Sequence, residues 1–123
     1  MSKFLNKIMG NAAEDMACEF LKKKKYKIKS RNFTTKIGEI DIVAEYKDTI
    51  VFVEVKYRSS DMFGRPAEAV NIKKQFKIRK VAEQYLLKSK SKLTPRFDVI
   101  EILGNDVNHI EGCFWQLLTF CIE

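Results

Sequence analysis

The stretch Gly38–Arg58, GEIDIVAEYKDTIVFVEVKYR, constrains this chain's fold more than any other. Its two halves alternate with the period of a β-strand on either side of Lys47-Asp48, which predicts an antiparallel hairpin of strands Ile37–Tyr46 and Thr49–Arg58. Alternation places Ile40, Ile42 and Ala44 on one face of the first strand and Glu39, Asp41 and Val43 on the other. On the second strand Phe52, Glu54, Lys56 and Arg58 oppose Val51, Val53, Val55 and Tyr57. With Lys47 and Asp48 as the turn, Asp41 faces Glu54 and Glu39 faces Lys56. Facing residues bring their Cβ atoms to about 5 Å, and like charges there destabilise a sheet. Burying an unpaired ion costs several kcal/mol, so these charges face water, pair with one another, or hold something. Two carboxylates aimed at one point suit a hard divalent cation, Mg²⁺ or Mn²⁺. The plainer alternative is a Glu39–Lys56 ion pair on a wet face, and a one-residue shift of register would undo the convergence.

The flanking segments predict what the hairpin packs against. Asn11 followed by AAEDMACEFLKK reads as a capped helix with an apolar stripe of Ala13, Met16, Ala17, Phe20 and Leu21. Glu14 stands at the position of a capping-box acid in that reading. YKIKSRNFTT reads as a strand with a basic face. A second helix is expected from near Pro66 to about Lys88, its apolar face being Ile78, Val81, Ala82, Tyr85 and Leu86. Arg96–Leu103 and Val107–Phe114 read as two more strands around a Gly104-Asn105 turn. A strand, a helix and another strand form a crossover, so the third and fourth strands are expected to be parallel neighbours in a mixed sheet flanked by helices.

At 123 residues the chain has the length of one domain, 1–123, with a single core. The net charge of +7 is concentrated: Lys22–Arg31 holds seven basic residues and no acid, and Lys73–Lys92 holds eight against Glu83 alone. Such clusters bind phosphate backbones through counterion release, and they also occur as plain solvated surface. Cys18, Cys113 and Cys121 show no CxxC spacing, and MSKFLNKIMG lacks the long apolar stretch of a secretory signal, which together predict a reducing cytoplasm. Cys113–Ile122 falls short of the roughly 20 residues that span a bilayer, so no membrane partner is expected. A single histidine, His109, argues against a histidine cage or triad within one chain.

Ile40-Asp41, a spacer of twelve residues and Glu54-Val55-Lys56 resemble the PD-(D/E)xK nuclease signature. GNAAEDMACEFL, SRNF, GEID, VFVEVKYR, Lys74-Gln75 and RFDVIEI together resemble the YraN-like family of bacterial proteins, similar to archaeal Holliday-junction resolvases. The resemblance implies an α/β fold with a restriction-endonuclease-like αβββαβ core. It implies that Asp41, Glu54 and the Val55 carbonyl bind Mg²⁺ or Mn²⁺, that Lys56 is the active-site lysine, and that Glu14 is the helix acid of the same site. Glu39 is then a Lys56 orienter or an outer group. The implied activity is a divalent-metal-dependent endonuclease, acting on branched DNA rather than RNA in repair or recombination, with a homodimer supplying two sites. The alternative is a non-catalytic nucleic-acid-binding or scaffold protein that keeps the fold. Arg31, Arg58, Arg65, Lys73, Lys74, Gln75 and Lys77 are the expected nucleic-acid contacts.

Overall fold

The computed structural model describes residues 3–58 and 72–113, with the backbone alone at 3–9. The elements are α1 (Lys3–Lys23), β1 (Lys27–Thr34), β2 (Glu39–Tyr46), β3 (Thr49–Tyr57), α2 (Ile72–Ser89), β4 (Thr94–Leu103) and β5 (Asp106–Ile110). One five-stranded sheet runs in the order β1-β2-β3-β4-β5. Its pairings are antiparallel except for β3 with β4, the parallel pair that the helical crossover demands. This is the restriction-endonuclease-like αβββαβ order, with β5 added at one edge.

The sheet is covered on both faces. Ile78, Val81 and Ala82 of α2 pack with Ile40, Val43, Ile50, Phe52, Phe97 and Val99. Ala13, Ala17, Cys18 and Leu21 of α1 pack with Ile42, Ala44, Val51, Val53, Ile100 and Ile102 on the other face. The small residues of α1 let it lie close to the sheet, and the β1–β2 turn lies against α2, where a Cβ at Gly38 would make an ordinary contact with Val81 at 3.6 Å.

Two boundaries differ from the sequence reading. Helix α1 begins at Lys3, so Asn11 lies inside it and caps nothing, and Glu14 is no capping-box acid. Phe4, Leu5 and Ile8 continue the helical spacing upstream, and Gly10 costs a helix interior only about 1 kcal/mol. Strand β5 ends at Ile110 rather than Phe114: Gly112, at φ 70°, turns the chain so that its N–H reaches the Asp98 carboxylate at 3.0 Å. The expected helix start at Pro66 lies outside the described residues.

Candidate active site

The register of the hairpin is the expected one, Tyr46 opposite Thr49 through Ile42 opposite Val53. There the ladder stops, while β2 stays paired with β1 down to Glu39 opposite Thr34. Strand β2 therefore follows β1 away from β3. The cause is a change of face. Ile42 and Ala44 pack under α1, but Ile40 packs under α2, so the simple alternation expected of Ile40, Ile42 and Ala44 fails at Asp41. The break lies across from Asn32, whose left-handed backbone (φ 54°) turns Phe33 toward α2 while Arg31 reaches α1. Asparagine tolerates that conformation better than a branched residue would. The Asp41 carboxylate enters the resulting gap and accepts the Val55 N–H at 2.8 Å, in place of a ladder bond.

Glu54 comes to this gap from the α2 face of β3. Lys74 Nζ at the start of α2 lies 2.8 Å from Glu54 Oε1, and Lys56 Nζ lies 3.7 Å from the same oxygen. Burial and the neighbouring Glu54 charge push the Asp41 carboxyl up to about 7, against the Val55 N–H, which favours the ionised form. Glu14 and Glu39 add smaller upward pushes, so three carboxylates act on Asp41. Burial and the adjacent Lys74 lower the Lys56 pKa, and Glu54 opposes them. Burial works against the Lys74 charge too, yet its hydrogen bond to Glu54 prevails and raises it.

Asp41 and Glu54 are the side chains here whose oxygen donors could hold a divalent cation. The Glu54 charge is near enough to Asp41 to raise its pKa, and the Lys74 and Lys56 ammonium groups both flank the Glu54 carboxylate. Among the described residues no group of three or more His, Cys, Asp or Glu side chains is drawn together tightly enough to hold a metal ion. The carboxylate pair would need the Val55 carbonyl or water to complete a coordination shell.

The other expected site residues separate into groups. Glu14, with 12% of its side chain exposed, projects from α1 toward Asp41 and lies 3.5 Å from Arg31. Arg31 also pairs with Asp15 at 2.8 Å, so it ties β1 to α1 and is not an unengaged phosphate contact. Glu39 is exposed and accepts a hydrogen bond from Thr34 at 3.1 Å; the expected facing of Glu39 and Lys56 is lost where β2 leaves β3. Arg58 donates to Glu101 at 3.0 Å, beside Lys56. Lys73 and Lys77 are exposed on α2, and Lys74 and Gln75 are half-buried there. Arg65 lies outside the described residues.

Two buried acids of β4, Asp98 and Glu101, escaped the sequence reading. A spacing of three sends them to opposite faces of the strand. Glu101 meets Arg58 on the α2 side. Asp98, on the α1 side, accepts from Arg96 at 2.9 and 2.8 Å and pairs with His109 Nε2 at 2.7 Å. The signal was available, because RFDVIEI sets acids in an apolar strand just as the hairpin does.

A family model described as the uncharacterised protein family UPF0102 matches residues 13–102, a span from α1 to the end of β4. The chain belongs to this family. UPF0102 proteins of Alkaliphilus oremlandii and Caldanaerobacter subterraneus are 49% and 48% identical to it over 117 and 122 residues. Those alignments cover 89% and 93% of this chain and 100% of each relative. A UPF0102 protein of Clostridioides difficile is 47% identical over 112 residues, covering 89% of the chain and 98% of the relative. Every segment of the site described above lies inside the matched span.

Proposed function

We propose that this UPF0102 chain is a divalent-metal-dependent DNA endonuclease that selects branched or otherwise irregular DNA, in repair or recombination. One observation carries the reading: Asp41 and Glu54 converge, partly buried, at the splayed end of the β2–β3 hairpin, with Lys56 and Lys74 on the same Glu54 oxygen. A structural ion pair needs one acid and one base, and a sheet stabilised for its own sake gains nothing from two acids driven together.

Asp41, Glu54 and the Val55 carbonyl would hold Mg²⁺ or Mn²⁺. When bound, the ion would polarise the scissile phosphate and acidify a coordinated water. Lys56, its pKa lowered chiefly by burial, would position the attacking water or neutralise the charge developing on the phosphate. Lys74, which pairs with Glu54, would be a further cation for a phosphate oxygen of the substrate. Lys73 and Lys77 extend that charge along α2. Lysines follow phosphates and read no bases, which favours selection by DNA shape. A two-fold pair of chains would present two such sites for symmetric cuts.

The test combines Mn²⁺ titration calorimetry with cleavage of linear, nicked and four-way DNA. The parent should bind Mn²⁺ and cut. Asp41→Ala and Lys56→Ala should melt cooperatively and lose cleavage by about a hundredfold or more. Variants that cut as well as the parent would refute the assignment. Metal binding with no cleavage would favour the non-catalytic nucleic-acid-binding alternative.

A further inference from the structure

The two basic runs of the sequence are far apart in the chain, yet the fold brings them to one place away from the carboxylates. An open cavity of about 310 Å³ lies between β1 and the end of α2, lined by Lys29, Ser30, Phe33, Tyr85, Lys88 and Ser89. Lys29 and Ser30 come from the first run, and Lys88 and Ser89 from the second. Adjacent residues on a regular strand point to opposite faces, so Lys29 and Ser30 could not both line a cavity there. The ladder shifts register between Ile28 and Ser30, and this bulge turns Lys29 toward α2. Among the described residues no acid lines the cavity, though the Glu45 charge acts on the Tyr85 hydroxyl. Phe33 and Tyr85 meet edge to face, with centroids 5.0 Å apart, and Lys88 Nζ stands 5.9 Å from the centre of the Phe33 ring.

We infer that this cavity binds one unpaired nucleotide of a nucleic-acid strand, its base against Phe33 and Tyr85 and its phosphates on Lys29 and Lys88. The chemistry is that of single-strand binding, in which aromatic faces take bases of any sequence and flanking cations hold the backbone. The volume is at the small end of ligand pockets, matching one nucleotide rather than a duplex. Helix α2 links the two places: from Lys74 to Lys88 it covers about 21 Å, at about 1.5 Å per residue. At about 3.4 Å per stacked base that is about six steps from the carboxylates. The inference rests on the nucleic-acid part of the proposed function and sharpens it, because a substrate reaching both places must carry unpaired bases near the cut.

The test is fluorescence anisotropy of a labelled thymidine decamer in EDTA, with cleavage suppressed. Phe33→Leu, which keeps the charge and removes the ring, should weaken binding about fivefold or more, and Phe33→Trp should restore it. The surface double variant Lys29→Gln/Lys88→Gln should lose more affinity than Lys22→Gln/Lys47→Gln, which removes equal charge elsewhere. Equal losses in the two double variants, a Phe33→Leu chain that binds like the parent, or a parent that does not bind would each overturn the inference. If no cleavage is found but the Phe33 dependence holds, the endonuclease reading falls and the nucleotide site stands.

Discussion

Asp41 shows how far one residue departs from its ordinary chemistry once its surroundings are fixed. An unfolded aspartate ionises near 3.8, whereas here burial and the Glu54 charge hold the proton until about 7. The folded state therefore binds more protons than the unfolded state between those values, and metal-free stability should fall as pH rises from about 4 to about 7. The contribution of this carboxyl is about 2 to 4 kcal/mol, and Asp41→Asn should lack it. Urea melts of parent and variant at several pH values would check this, and parallel curves would refute it. A cation must displace the same proton, so Mn²⁺ affinity in calorimetry should rise about tenfold per pH unit below 7 and level off above it. The charges of Asp41, Glu54 and Lys56 within an apolar hairpin were legible in the sequence, and the family resemblance grouped them as a site. Their partners were not legible: Lys74 reaches Glu54 from a helix that begins well after it in sequence.

At the scale of elements, small backbone irregularities shape the site. The Lys47-Asp48 turn holds the hairpin register although Lys47 must adopt φ 54°, a conformation disfavoured for residues with a Cβ. Lys47→Gly should relieve this and stabilise the protein by about 0.5–1 kcal/mol, read as a higher urea midpoint with unchanged slope. Destabilisation would mean that the Lys47 ammonium over the Tyr46 ring outweighs the backbone cost. Asn32, in β1, acts at the other end of β2. Replacing Asn32 with valine should penalise its left-handed conformation by about 1–2 kcal/mol and disturb the face change that opens the gap for Asp41. Loss of Mn²⁺ binding beyond what the lost stability explains would reveal that coupling, whereas a variant that melts and binds like the parent would refute it.

On the scale of the whole molecule, two buried charged groups brace the sheet on opposite faces. Asp98 is fully buried, and hydrogen bonds from His109, Arg96 and Gly112 overcome the cost of burial and hold its carboxyl below the usual range. Arg96 also reaches Tyr26 at 2.7 Å, and Lys24 lies 2.8 Å from His109, so the turn after α1 is tied to β4 and β5 through this group. Arg96→Ala would leave a buried carboxylate short of its main counter-ion and should cost about 3–5 kcal/mol, measured by thermal or urea unfolding. A loss under 1 kcal/mol would show that water replaces the guanidinium. By itself the sequence determined the element order, the parallel β3–β4 pair and the hairpin register from Tyr46–Thr49 to Ile42–Val53, because periodicity and turn position are local properties of the chain. Only the tertiary structure decided that β2 leaves β3 at Asp41, that Arg31 is engaged by α1, that Lys74 neutralises Glu54, and that Lys29 and Lys88 share a cavity. Those outcomes depend on which face a side chain meets after a bulge or a left-handed residue, and on contacts between segments distant in sequence, which no local pattern encodes.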